Sequence, residues 1–166
     1  MRKIILFCFM VLCFMSCKEK SIQASIADDV STLDTKEWIK KAMVNAKANS
    51  ILESWPEYNA FDTSVEVLYK AENLEDLAIA LEDLIEKQKL LLKSKYPEDY
   101  NVPQIKSRQK VVLTYMLKLK ADLEYRLPTE VSTRELLEAN NAMRTQFNVE
   151  INNPLDNSLI LEEEGN

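Results

Sequence analysis

Residues 74–84 read LEDLAIALEDL, so the tetrapeptide Leu-Glu-Asp-Leu occurs twice at an interval of seven residues. The leucines alternate at spacings of three and four, which is typical of a helix that packs along a left-handed seam with a neighbour. The pattern continues to residue 91 and predicts a long amphipathic helix. The predicted seam residues are Leu74, Leu77, Leu81, Leu84, Gln88 and Leu91.

Helical spacing extends through most of the chain, and proline marks the connections. A first helix is predicted over residues 34–54, and the repeat falls in a second helix over residues 62–94 with a kink near Asn73. A third helix is predicted over residues 103–126 and a fourth over residues 132–148. Three capping boxes support the starts. They are Asp34 with Glu37, Thr63 with Glu66, and Ser132 with Glu135.

Strand signals are weak, and the only glycine is Gly165. Amphipathic helices joined by short loops are typical of a bundle. The sequence therefore predicts an all-α fold, an antiparallel bundle of about four helices over residues 34–148. The remaining residues, 149–166, are acidic and contain Pro154, so we expect an extended tail there.

The N-terminus has the features of a lipoprotein signal. Arg2 and Lys3 precede twelve apolar residues, a run shorter than the roughly 20 that a membrane span needs. Phe14, Ser16 and Cys17 supply a bulky residue, a small residue and a thiol in the order of a lipobox. Residues 1–16 are therefore predicted to be a cleaved signal peptide.

Cys17 is predicted to be the first mature residue and the lipid anchor. Cys8 and Cys13 lie in the signal, so the mature chain has no second thiol for a disulfide. Acyl chains contribute about 0.8 kcal/mol per buried CH₂, so attachment through several chains is effectively permanent. Residues 17–33 would form a lipidated tether, and about 16 flexible residues reach roughly 20–25 Å.

Composition excludes several kinds of chemistry. The chain has no histidine, which rules out the histidine-dependent triads and the Glu-x-x-His di-iron pattern. Its single glycine leaves no phosphate-binding loop, and the mature chain has no cysteine pair for zinc. Loss of Arg2 and Lys3 changes the formal charge from −6 to −8, which is unfavourable for nucleic acid. No cofactor, metal or catalytic residue is predicted.

A few residues are candidates for ligand or partner contacts. Arg108 lies in the predicted stripe of the third helix, where it either clamps an anion or packs its stem on the core and meets Glu82 or Glu86. Trp55 and Tyr58 either line a groove or cover one end of the core. Glu82 and Glu86 lie one turn apart. They either bind a cation, act as an acid–base pair, or solubilise the helix.

The chain resembles small lipoproteins of Bacteroidota of unknown function. The resemblance rests on the lipobox and on residues 103–126, PQIKSRQKVVLTYMLKLKADLEYR. The matching positions are Pro103, Ser107, Arg108, Val111, Val112 and Thr114. The resemblance implies lipid attachment and assigns no activity. The stretch Lys-Glu-Lys after Cys17 leaves the periplasmic face of the outer membrane and the cell surface both open.

These features predict a membrane-anchored helical lipoprotein of the cell envelope, on the outer membrane, that is not an enzyme. Its expected partners are the membrane, through the lipid on Cys17, and an envelope protein of unknown identity. The alternative is a lipoprotein that carries or senses a small ligand or a cation. A filled core with an exposed apolar patch above about 400 Å² favours the first interpretation. A pocket of a few hundred Å³ near Arg108 or Trp55 favours the second.

Overall fold

The computed structural model describes Leu33 and residues 35–152, and this part of the chain is all-helical. It contains five α-helices and two single 3₁₀ turns. The helices are α1 (Ala46–Glu53), α2 (Pro56–Leu68), α3 (Leu74–Lys93), α4 (Pro103–Glu124) and α5 (Glu130–Asn152), and the turns are Thr35–Glu37 and Glu98–Tyr100. None of these helices is both long enough and apolar enough to cross a membrane.

The long helices pack antiparallel, which confirms the predicted helical bundle. Lys120 of α4 pairs with Glu82 of α3 at 3.3 Å, and Lys118 pairs with Glu135 of α5. Both pairs join the first half of one helix to the second half of its neighbour. The α2–α3 and α4–α5 connections therefore lie at one end of the bundle, and the α3–α4 connection lies at the other.

The Leu-Glu-Asp-Leu repeat supplies the central helix. Leu77, Leu81, Leu84 and Leu91 are buried, and Gln88 is buried with them, as the seam pattern predicts. The predicted seam member Leu74 is instead 36% exposed, because it is the first residue of α3 and lies beyond the packed part of the helix. Burial of each of the four buried leucines stabilises the folded state by about 1.5–3 kcal/mol.

The predicted first helix over residues 34–54 is largely wrong. Residues 35–37 form one 3₁₀ turn, residues 39–45 are not helical, and the α-helix begins only at Ala46. We call residues 39–45 the strap. Asn45 ends the strap in an extended conformation and caps α1, where its side chain accepts a hydrogen bond from the amide of Ala48 at 2.8 Å.

The predicted second helix is two helices. The predicted end of the first helix before Pro56, near residue 54, is confirmed, since α1 ends at Glu53. Pro56 also begins α2 at its first position, where a missing N–H costs nothing. Thr63 therefore lies inside α2 and does not cap it. The expected kink near Asn73 is a complete break, because the Asn73 side chain caps α3 by accepting from the amide of Asp76 at 2.8 Å.

The last two helices differ from prediction at their edges. In α4 the buried stripe includes Gln109, whereas Arg108 is exposed. Helix α5 begins at Glu130, so Ser132 is a buried helical residue and not a cap. It also continues to Asn152, beyond the predicted end at residue 148. The inner face predicted for this helix is confirmed: Leu136, Leu137, Asn140, Met143 and Phe147 are buried.

Several sequence predictions fall outside the described residues. These are the signal peptide over residues 1–16 with Phe14, Ser16 and Cys17, the tether before Leu33, and the tail from residue 153. They remain predictions from the sequence.

Candidate functional site

The candidate aromatic residues lie in the core. Trp55 is 1% exposed and Tyr58 is 3% exposed. Trp55 lies 4.9 Å from Tyr96 between ring centroids, and Tyr58 lies 5.2 Å from Phe147 in an edge-to-face arrangement. The indole N–H of Trp55 donates to the Ser94 hydroxyl at 2.9 Å. These rings leave no groove, which supports the interpretation that they close one end of the core.

Burial also affects the acid–base properties of two phenols. Desolvation raises the pKa of Tyr58 far above its usual value of 10, and the nearby Asp62 carboxylate raises it further. Desolvation raises the pKa of Tyr100 in the same way, and its side chain is fully buried. Both groups are therefore neutral hydrogen-bonding groups at physiological pH.

A buried cation on α5 joins three parts of the chain. Arg144 is 8% exposed, and its Nη1 donates to the Tyr58 hydroxyl at 2.9 Å and to Asp62 Oδ1 at 2.6 Å. Its Nε donates to the carbonyl of Ala42 at 2.6 Å. Lys41 lies 3.2 Å from the same Asp62 carboxylate and also pairs with Glu66. The charges of this cluster compensate one another, so the cluster links α2, α5 and the strap.

Two asparagines continue this contact along the strap. Asn141 accepts from the amide of Ala42 at 2.7 Å and donates to the carbonyl of Lys40 at 2.9 Å. Asn148 accepts from the amide of Asn45 at 2.8 Å and donates to the carbonyl of Met43 at 3.1 Å. Each asparagine amide thus replaces the backbone partner that a helix or a sheet would supply.

The three residues form a ladder on one face of α5. Asn141, Arg144 and Asn148 are separated by three and four residues, a spacing that places them on the same face of a helix. They form hydrogen bonds with backbone atoms of the strap, so this contact depends little on which side chains the strap carries. This explains how Met43, which is 87% exposed, can occupy a segment that is fixed in place.

Removal of either asparagine is expected to destabilise the domain. Asn141→Ala and Asn148→Ala each leave a partly buried N–H of the strap without a partner, at a cost of about 1–3 kcal/mol, and release an exposed C=O to solvent. Thermal unfolding followed by circular dichroism should show midpoints lower by roughly 4–12 °C. Thr145→Ala is the matched control, since Thr145 is exposed on the same helix. Equal midpoints in all three variants would contradict the ladder.

Arg108 lies on the surface, in a groove between α4 and α5. The groove has a volume of about 430 Å³, is open to solvent, and is lined by Pro103, Gln104, Ser107, Arg108 and Gln146. Among the described residues Arg108 has neither an ion pair nor a hydrogen bond, so it meets neither Glu82 nor Glu86. The groove is therefore a polar surface with a guanidinium available for contact.

The candidate acids of α3, Glu82 and Glu86, do not line the groove beside Arg108. Glu82 pairs with Lys120 and Glu86 is exposed. Ser64 donates a hydrogen bond to the neighbouring Asp83, which lowers the pKa of that carboxyl group. Within residues 35–152 no group of three or more acidic, histidine or cysteine side chains is placed to hold a metal ion. The structure thus brings none of these acids together with Arg108, Trp55 or Tyr58.

Sequence reasoning missed the ladder. Its signal was a polar stripe at spacings of three and four beside the apolar face of the last helix, in the stretch NNAMRTQFN of residues 140–148. The sequence offers no partner for this stripe, because it predicts the strap to be helical, with its backbone N–H and C=O groups bonded within the helix. Comparison of the chain with protein-family models, with curated proteins and with solved structures finds no match.

Proposed function

We propose that this protein is a lipid-anchored helical module of the cell envelope that binds another envelope component and carries out no reaction. The lipobox around Cys17 supports the anchor, and the resemblance to Bacteroidota lipoproteins supports the location. The anchor places the protein on the outer membrane, with the folded domain held close to the lipid surface. The folded domain is then the part that meets a partner.

One observation carries the binding role, namely the open groove beside Arg108. Its lining offers amide, hydroxyl and guanidinium donors from Gln104, Ser107, Arg108 and Gln146, and it contains no acidic side chain. A guanidinium pairs with a carboxylate through two parallel hydrogen bonds. The partner that fits this surface is a protein segment that carries an Asp or Glu side chain.

The groove fits a macromolecular partner better than a small ligand. Sites for small molecules bury most of the ligand and are lined mainly by apolar side chains. The groove beside Arg108 has the volume of a ligand site, about 430 Å³, but it is open and polar. Trp55 and Tyr58, the aromatic residues of the alternative interpretation, are inside the core. The carrier or sensor alternative is therefore supported by the volume of the groove and not by its shape or lining.

Photocrosslinking at the groove tests the binding role. A photoreactive residue in place of Gln104 should form an adduct with a specific envelope protein in intact cells. Arg108→Glu is expected to lower the adduct yield about tenfold, because a hydrogen bond to a charged group contributes about 1.5–3 kcal/mol. Lys110→Glu on the same helix makes the same charge change outside the groove and should leave the yield close to wild type.

Two results of this experiment would count against the proposal. The absence of any adduct from the lipidated wild-type protein would contradict binding at this groove. Equal yields in Arg108→Glu and Lys110→Glu would show that Arg108 does not contact the partner. The anchor has a separate test, in which labelled palmitate should enter the wild type and not Cys17→Ala. Equal labelling of the two would contradict lipid attachment.

A further inference from the structure

The described domain begins at the same end of the bundle as two of its connections. The amide of Leu33 donates to the carbonyl of Glu72, in the α2–α3 connection, at 3.0 Å. Trp38 shares a hollow of about 140 Å³ with Glu130 and Arg134, at the start of α5. We call this the proximal end, and the end with the α3–α4 connection the distal end.

The proximal end exposes a cluster of apolar side chains. Tyr125 is 76% exposed, Leu127 is 52% exposed and Val131 is 51% exposed, all within or beside the α4–α5 connection. Val67 and Leu74 are exposed at the same end, beside the α2–α3 connection. Towards the distal end the exposed large apolar side chains are Leu90, Val149 and Met43, whose carbonyl accepts from Asn148. More exposed apolar side chains therefore lie at the end where the chain enters the bundle than at the opposite end.

The tip of the α4–α5 connection is held by two backbone hydrogen bonds. The amide of Leu127 donates to the carbonyl of Asp122 at 2.8 Å, and that of Arg126 donates to the carbonyl of Leu123 at 3.2 Å. This is the double hydrogen bond of a Schellman cap. Arg126 supplies the left-handed residue with φ of 54°, a position that glycine usually takes. Tyr125 and Leu127 are thus held outward by the backbone.

Chain length limits how far this end can lie from a lipid anchor. Leu33 lies sixteen positions after Cys17, so a flexible connection reaches roughly 20–25 Å and a fully extended one about 55 Å. Helix α4 has 22 residues and is about 33 Å long. The chain from Cys17 therefore joins the described domain at the proximal end, about one helix length from the groove beside Arg108.

We propose that the proximal end rests on the lipid bilayer, with Tyr125, Leu127 and Val131 in the interfacial layer. This inference rests on the proposed lipid anchor at Cys17. Tyrosine is enriched at membrane interfaces, because its ring is apolar and its hydroxyl stays hydrated. The contact orients the domain so that the groove beside Arg108, at the distal start of α4, faces away from the membrane and towards partners.

The charges at this end favour an apolar contact over an electrostatic one. Three basic residues at this end are outnumbered by six acidic ones in the connections and adjoining turns: Lys70, Arg126 and Arg134 against Glu72, Glu75, Asp76, Asp122, Glu124 and Glu130. A surface with an excess of acids is not attracted to anionic lipid. We therefore expect the contact to depend on the anchor and on the apolar tip, and added salt not to weaken it.

A pair of labelled leucines tests the orientation. The folded domain has no cysteine, and Cys17 carries the lipid, so one introduced cysteine can be labelled with a fluorophore. Leu127→Cys at the proximal end and Leu90→Cys at the distal end are matched, with exposures of 52% and 51% in the wild type. Lipidated protein is placed in phosphatidylethanolamine and phosphatidylglycerol vesicles that contain brominated acyl chains.

Bromine should quench the label at position 127 several-fold more than the label at position 90. Replacement of Tyr125 and Val131 by serine should remove most of this difference while the protein stays on the vesicle. Equal quenching at the two positions, or energy transfer between labelled copies through the tip, would overturn the proposal. Failure of palmitate labelling would instead count against the anchor itself, so the two failures are distinguishable.

Discussion

Arg144→Ala is expected to destabilise the domain by about 3–5 kcal/mol, because it removes a largely buried charge together with three hydrogen bonds. The Tyr58 hydroxyl and the Ala42 carbonyl lose this partner, whereas Asp62 keeps Lys41. Thermal unfolding at pH 7 should show a midpoint lower by about 12–20 °C.

Two substitutions test the cause of this loss. Arg134→Ala removes an exposed arginine from the same helix and should leave the midpoint within about 2 °C of wild type. Arg144→Lys keeps the charge but loses the planar fork, so an intermediate midpoint is expected. A double-mutant cycle with Asp62→Ala should give a coupling energy above about 1 kcal/mol. Additive losses would show that the ion pair contributes little and that the lost packing dominates.

Alkaline solution is expected to unfold the protein steeply. The folded state keeps the phenols of Tyr58 and Tyr100 protonated, since burial raises the pKa of both, whereas the unfolded chain ionises them above about pH 10. Their stabilising contribution is complete below pH 10 and is lost as the pH rises further. Each phenol lowers the free energy of unfolding by about 1.4 kcal/mol per pH unit in that range.

Urea denaturation between pH 9 and pH 12 measures this slope. Tyr100→Phe should remove about half of it at little cost at pH 7, because the Tyr100 hydroxyl makes only a long 3.4 Å bond to the Ala48 carbonyl. Tyr125→Phe is the control, since Tyr125 is exposed, and it should leave the slope unchanged. A flat profile in the wild type, or an equal slope in Tyr100→Phe, would contradict the role of the buried phenols.

The sequence predicts the parts of this fold whose helices are set by local pattern. The seven-residue repeat correctly places Leu77, Leu81, Leu84 and Leu91 in the core, and the spacing in the last helix correctly places Phe147 there. In both cases apolar periodicity and tertiary packing favour the same structure. The repeat is the clearest case, because one side of α3 contacts α2 while another contacts α4.

Prediction fails where a tertiary contact replaces a local one. Trp38, Ile39 and Ala42 have a helical spacing, but the backbone of the strap bonds to α5, about 100 positions further along the chain. No local pattern carries that information. Pro56 is a different case, because α1 ends before it, as the sequence predicts, and the same proline also begins α2, a start that the sequence pattern does not predict.

The candidate site could be predicted only in part. The sequence places Arg108 in the inward-facing stripe of α4. The structure places Arg108 beside that stripe, because Gln109 takes the buried position. A shift of one residue on a helix turns a side chain by about 100°, which is enough to move it from the core edge to a groove. For Trp55 and Tyr58 the sequence leaves two alternatives, a groove and the end of the core, and their burial supports the second.

The ladder on α5 also sets the order in which the domain can be completed. The strap is among the first segments of the domain to be synthesised, and its partners Asn141, Arg144 and Asn148 are among the last. A chain that leaves a ribosome or a translocation channel from its N-terminus therefore carries an unpaired strap until nearly all of the domain has emerged. Closing so long a loop is a late and slow step. The domain therefore stays incomplete, and able to pass through a narrow channel, until its last helix follows.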